Sequence, residues 1–130
     1  DITETGRALR AAGLRIIDTI LTSYTELIAH PASWANPEKR HAMEQLHTLL
    51  IGTLEARGQV LVKLNVSEAN FEKVLKVLPS AKSPTVSRLA SGDYAIESVV
   101  QKRTINTVIP ALKDAGASDI LEIPISKIIH

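Results

Sequence analysis

The sequence predicts an α+β chain whose carboxyl-terminal part is a βαββαβ, ferredoxin-like layer. Three observations predict it. Val60, Val62 and Leu64 recur at every second position, and so do Tyr94, Ile96, Ser98 and Val100, which is the period of a half-buried strand. Each run is followed by an apolar stripe at helical spacing: Phe71, Val74, Leu75 and Leu78, then Ile105, Val108, Ile109 and Leu112. The two sets superpose at an offset of 34 residues. Two strand–helix–strand units in tandem close most economically as four antiparallel strands with two helices on one face.

The elements before Gly58 are read in order. Gly6 to Ala12 predicts a short helix that stops at Gly13. Leu14–Leu21 and Tyr24–Ala29, rich in Ile, Leu and Thr, predict two strands, and His30-Pro31-Ala32-Ser33 ends the second. Asn36-Pro37-Glu38 is a helix start: an acceptor for a free N–H, a proline where no N–H is needed, and a carboxylate at the positive end of the dipole. The following helix is expected to bury Met43, Leu46, Leu50 and Leu54 and to stop at Gly58. Two strands and one helix enclose no core by themselves. Residues 1–57 are therefore expected to be the end of an incomplete α/β catalytic domain, and residues 58–130 the ferredoxin-like domain.

After Gly58, Ser67 is expected to cap the first helix and Pro79 to stop it. Thr85–Leu89 predicts the second strand, Ser91-Gly92 a turn, and Tyr94–Val100 the third. Thr104 is expected to cap the second helix, with a kink at Pro110 and an end at Gly116. Ile120–Ile125 predicts the last strand.

Composition narrows the function. Apolar residues are 45% of the 130, enough for a core, while aromatics are 3%, so that core is built of Val, Ile and Leu. Fifteen basic and 14 acidic residues are interspersed, leaving a formal charge of +1 and no cationic face for nucleic acid. There is no cysteine, which excludes a disulfide framework and thiolate metal sites. No apolar run is long enough to span a bilayer and no signal peptide is visible. A cytoplasmic protein without membrane or nucleic-acid partners is expected.

Asp1-Ile2-Thr3-Glu4-Thr5-Gly6-Arg7-Ala8-Leu9 has two readings. A carboxylate such as Asp1 or Glu4 would accept from ribose hydroxyls, and the N–H groups of Thr5, Gly6 and Arg7 would face a 5′-phosphate. Local chemistry alone favours the other reading, a polar, capped helix start, because short motifs match by chance. His41 and His47 do not share a helix face, His30 precedes a proline and His130 is last, so no histidine pair has zinc-ligand spacing. None of Ser83, Thr85, Ser87, Ser91 and Ser98 lies in a nucleophile elbow. Thr85 is placed to satisfy a loop carbonyl or to face a small ligand, and Asn65 stands at a strand end as a turn residue. Glu68 and Glu72 share a helix face near Lys73 and Lys76 and read as solvated surface.

Four blocks, taken together and in order, resemble one family: Asp1 to Leu9 with Gly13-Leu14, Leu27-Ile28-Ala29-His30-Pro31-Ala32-Ser33, Ser83-Pro84-Thr85-Val86, and Ile109-Pro110-Ala111-Leu112-Lys113 with Gly116-Ala117. They look like ATP phosphoribosyltransferase of the long form. The resemblance implies an enzyme of histidine biosynthesis that joins N1 of ATP to C1 of phosphoribosyl pyrophosphate, with Mg2+, and releases pyrophosphate. It implies that Asp1, Thr5, Gly6, Arg7 and Ala8 grip the ribose 5-phosphate. It implies an ACT-like regulatory domain in which histidine binds between subunits and inhibits, with Asn65, Ala81, Ser83, Thr85 and Asp119 near that pocket. No residue of this chain is implied as a catalytic group or metal ligand. A homo-oligomer, a dimer or hexamer, is implied, and these residues alone are expected to be inactive.

Two positions depart from the family pattern. Ala8 stands where a second threonine is usual, and Ala12 where asparagine is common. They motivate a competing reading: a non-enzymatic, amino-acid-sensing oligomer with a decayed phosphate loop.

Overall fold

One four-stranded sheet organises the larger part of the molecule. In the computed structural model, which describes residues 3–79 and 83–130, its strands are β1 (Gln59–Val66), β2 (Thr85–Arg88), β3 (Tyr94–Gln101) and β4 (Ala117–Pro124). Their order is β2-β3-β1-β4, and every neighbouring pair is antiparallel. That is the order of the ferredoxin-like layer expected from the repeat. The expected sites Asp1 and Ala81 lie outside the described residues.

The offset of 34 reappears as geometry. Lys63 and Glu97, equivalent positions of the two halves, stand directly opposite each other on β1 and β3, and their side chains pair at 2.7 Å. The two halves are thus related across this point of the sheet. Both side chains remain well exposed, so the pair sets register more than it stabilises.

One face of the sheet carries the core. Val60, Val62, Leu64 and Val66 of β1 and Ile96 and Val100 of β3 are buried under helices α4 (Phe71–Val77) and α5 (Ile105–Asp114). Val74 and Leu78 come from the first repeat, and Ile105, Val108 and Leu112 from the second. Phe71 and Tyr94 close one end with ring centroids 4.5 Å apart.

Several details differ from expectation. Neither Ser67 nor Thr104 caps a helix through its side chain; Thr104 Oγ1 donates back to the Gln101 carbonyl at 2.9 Å. Short 3-10 turns, Glu68–Asn70 and Lys102–Thr104, lead into both helices instead. Pro110 sits inside a continuous α5. β4 begins at Ala117, three residues earlier than its apolar signal.

By internal contacts the chain forms two units, one ending at Ala35 and the other running from Asn36 to His130. The second includes helix α3 (Pro37–Ala56). Asn36 caps it as expected, its Oδ1 accepting from the Lys39 N–H at 3.0 Å with Pro37 in the first turn. Asn36→Ala should cost about 1 kcal/mol, read as a fall in thermal midpoint. The stripe on α3 exists but is not buried as expected: Leu46, Leu50 and Leu54 are each about half exposed, and only Gly52 and Ala56 are buried. Spacing shows that a helix has an apolar side, not that this chain covers it.

At Gly52 the backbone of the carboxyl-terminal tail approaches α3. The Ile128 N–H donates to the Gly52 carbonyl at 2.9 Å, and a Cβ on residue 52 would lie 2.9 Å from the Ile128 carbonyl oxygen.

In the first unit, α1 (Arg7–Ala11) follows the short-helix expectation and Gly13 turns the chain at φ 73°. The two expected strands do not form: residues 14–30 have no regular secondary structure. A strand is held by ladder partners, and none of the described strands pairs with this segment. Its apolar side chains stay in water, with Ile17, Ile20, Leu21 and Ile28 all more than four-fifths exposed. Helix α2 (Pro31–Ala35) forms where only a break was expected, begun by His30 Nδ1 accepting from the Ala32 N–H at 3.2 Å.

Candidate functional site

The expected phosphate loop is folded on itself. Gly6, buried and at φ 65°, precedes α1. Its N–H donates to Thr3 Oγ1 at 2.9 Å, and the Arg7 N–H reaches Thr5 Oγ1 at 3.4 Å. Arg10 donates from Nη2 to the Thr5 carbonyl at 2.6 Å and from its N–H to the Gly6 carbonyl at 3.0 Å. Two hydroxyls therefore occupy the N–H groups that an anion would take. A side chain on residue 6 would meet the Arg10 guanidinium and Ile16 Cδ1 at 3.4 Å, so glycine serves both the φ and the space here. Arg7 and Ala8 are exposed on the first turn.

The second set of candidates lies on the sheet, and the strand order divides it. Asn65 on β1 and Asp119 on β4 meet: Asn65 Nδ2 donates to Asp119 Oδ2 at 3.0 Å, and Ser118 Oγ donates to the same oxygen at 3.3 Å. Asp119 holds a positive φ of 49°. Thr85 belongs to β2, opposite Glu97 of β3. With β3 between β2 and β1, strand spacing alone separates it from Asn65 by about 10 Å. Ser83 and Thr85 instead line an open groove of about 290 Å³ together with Gln59, Leu61, Glu97 and His130. A single copy does not gather the four described candidates around one point.

Gln59 and Glu97 are not singled out from the sequence, and His130 is weighed there only as a zinc ligand. The offset of 34 carried a signal for Glu97, since it makes Lys63 and Glu97 equivalent positions. His130 sits 3.3 Å from Glu55 Oε2 by its Nε2. Glu68 is surface, as read, and lies 3.8 Å from Arg88. Among the described residues no three His, Asp or Glu side chains gather as a metal site, and no helix is long and apolar enough to cross a membrane.

Comparison with known families covers both parts of the chain. Residues 56–127 match the family model described as "HisG, C-terminal domain", and residues 1–52 match "ATP phosphoribosyltransferase". The chain belongs to the ATP phosphoribosyltransferase family. It is 45% identical over 130 residues to an ATP phosphoribosyltransferase of Solibacter usitatus, covering 99% of this chain and 45% of that protein. Identity is 46% to the ATP phosphoribosyltransferase of Pelotomaculum thermopropionicum and 47% to that of Desulforudis audaxviator, again over 99% of this chain and 45% of each relative. The chain thus spans a little under half the length of these ATP phosphoribosyltransferases.

Proposed function

We propose that this chain serves as the carboxyl-terminal portion of an enzyme that transfers the phosphoribosyl group of phosphoribosyl pyrophosphate to ATP, and that its ferredoxin-like layer senses histidine. The observation that carries the reading is the match of both family regions, in order, along one chain. On this reading the functional boundary lies near Gly58, and the protein works in the cytoplasm.

The chain's own part in the chemistry is positioning. Displacement at C1 of the sugar needs the ribose phosphate held still and its charge met by donors. In the loop, an incoming phosphate would take the N–H groups of Gly6 and Arg7, freeing the Thr3 and Thr5 hydroxyls to donate to it. Asp1 is proposed for the ribose hydroxyls. Mg2+ in such sites travels largely on substrate phosphates. The described residues supply no cage for it.

The layer would act as an oligomer, a dimer or hexamer. Asn65 and Asp119 on one copy, with Ser83 and Thr85 on another, would meet the ammonium, carboxylate and imidazole of one histidine. The exposed apolar residues of the segment 14–30 would pack against the part of the protein that the relatives possess beyond this chain.

The enzymatic and the purely sensing readings separate by calorimetry on the complete protein. Histidine and phosphoribosyl pyrophosphate are both expected to bind, and Ala8→Thr should tighten the latter about tenfold by restoring one hydroxyl contact. Histidine binding with no phosphoribosyl pyrophosphate binding, in native and Ala8→Thr proteins alike, would favour the sensor.

A further inference from the structure

β4 carries one residue more than β1 can pair. Asn65 faces Ser118, yet Lys63 faces Leu121, so Asp119 and Ile120 together oppose Leu64. Because strand side chains alternate, this bulge reverses the phase of β4. Before it, Ala117 is buried beside Val66; after it, Leu121 and Ile123 stand on the open face opposite Lys63 and Leu61, 52% and 38% exposed. Glu122 and Pro124 stand on the helix side, opposite Val62 and Val60. Ile120 is the bulge residue that packs against the core.

The same sequence fits a second register. With the bulge drawn straight, Lys63 would face Ile120, Val62 would face Leu121, and Val60 would face Ile123. Leu121 would replace Ile120 inward, an exchange of equal volume, and Glu122 would turn outward beside Lys63. The straight register turns Asp119 to the helix side, opposite Leu64, as it turns Glu122 away from Val62. Each register thus points apolar side chains and one carboxylate at the helix side, so apolar pattern alone does not choose between them. In the observed register the catch is the Asn65 amide, which holds the Asp119 carboxylate at 3.0 Å while the Asp119 backbone stays left-handed at φ 49°. Aspartate is among the few residues that tolerate this conformation.

The far end of β4 feels the choice. A one-residue advance moves the tail by about 3.3 Å. The Ile128 N–H would then leave the Gly52 carbonyl, which it meets at 2.9 Å, and Ile129 would leave its seat against Gly52 on α3.

We propose that β4 is a one-residue slider: the Asn65–Asp119 pair is its catch, and the grip of the tail on Gly52 of α3 is its output. A ligand cation that pairs with the Asp119 carboxylate on the open face, beside Asn65, holds the catch shut and opposes the slide. Histidine is the probe chosen because of the function proposed above; the slide itself does not depend on that reading.

The 130-residue chain has no cysteine, so engineered pairs report register cleanly. Lys63→Cys with Leu121→Cys reports the observed register, and Lys63→Cys with Ile120→Cys the slid one; both lose the Lys63–Glu97 pair equally. Closure is measured by mass in a glutathione buffer. The first pair should close preferentially, the second to a detectable fraction. Asn65→Ala should shift their ratio about fivefold toward the second, the size of one lost hydrogen bond. It should also speed exchange of the Ile128 amide. Asn65→Asp, which repels Asp119, repeats the test should the alanine variant lose its native circular dichroism. A second pair that never closes, or a ratio indifferent to both variants, overturns the slider. If the variants shift the ratio and histidine does not, the slider stands and histidine's proposed contact with Asp119 falls.

Discussion

Leu64→Ala is expected to destabilise the layer by about 2–5 kcal/mol. Leu64 lies at the centre of β1, between β3 and β4, and is 1% exposed. Truncation leaves a cavity bounded by the sheet and its helices, and a layer built of interlocking Val, Ile and Leu has little slack to fill it. At about 4–8 °C per kcal/mol for a domain of this size, the thermal midpoint should fall by about 8 °C or more. Leu61→Ala, three residues away on the open face, is the control and should cost far less. Equal melting of the two variants would contradict the assignment of the core to the even-numbered face of β1.

Gly116→Ala should cost about 2–4 kcal/mol, from backbone strain and overpacking together. Gly116 links α5 to β4 at φ 101°, where an L side chain is strained. A Cβ there would also run into the Asn70 side chain, approaching its Cγ at 2.7 Å. The two causes separate in a double variant. Asn70→Ala removes the amide group but not the φ, so it should recover only part of the loss. Full recovery would assign the whole effect to crowding, and a native-like melt for Gly116→Ala alone would contradict both causes.

The parts of the fold that could be read in advance are those where local pattern and tertiary partner coincide. β1 and β3 alternate because one face of each meets the helices, and α4 and α5 carry stripes because they cover that face. Ala117, Ser118 and Asp119 gave no strand signal, being small or polar, although Ala117 pairs with Val66. The segment 14–30 failed for the opposite reason. Its Ile and Leu content suits strands, but a ladder needs a partner, which composition does not supply. Hydroxyl residues misled at both helix starts, where Thr104 bonds backward to Gln101.

The candidate site was legible in residue type rather than in arrangement. Asn65 and Asp119 do touch, 54 positions apart. Ser83 and Thr85 open onto a different groove because β3 intervenes, which follows from strand order and from nothing in the residues themselves. In the loop before α1, the types suit phosphate, yet the Thr3 and Thr5 hydroxyls already bond to the N–H groups.

The most direct measurement is formation of phosphoribosyl-ATP by this chain completed with the portion that its relatives possess beyond it, followed with and without histidine. Turnover that depends on phosphoribosyl pyrophosphate, falls when Arg7 is replaced by alanine and is suppressed by histidine is the predicted result. A folded complete protein that forms no product from ATP and phosphoribosyl pyrophosphate would contradict the account.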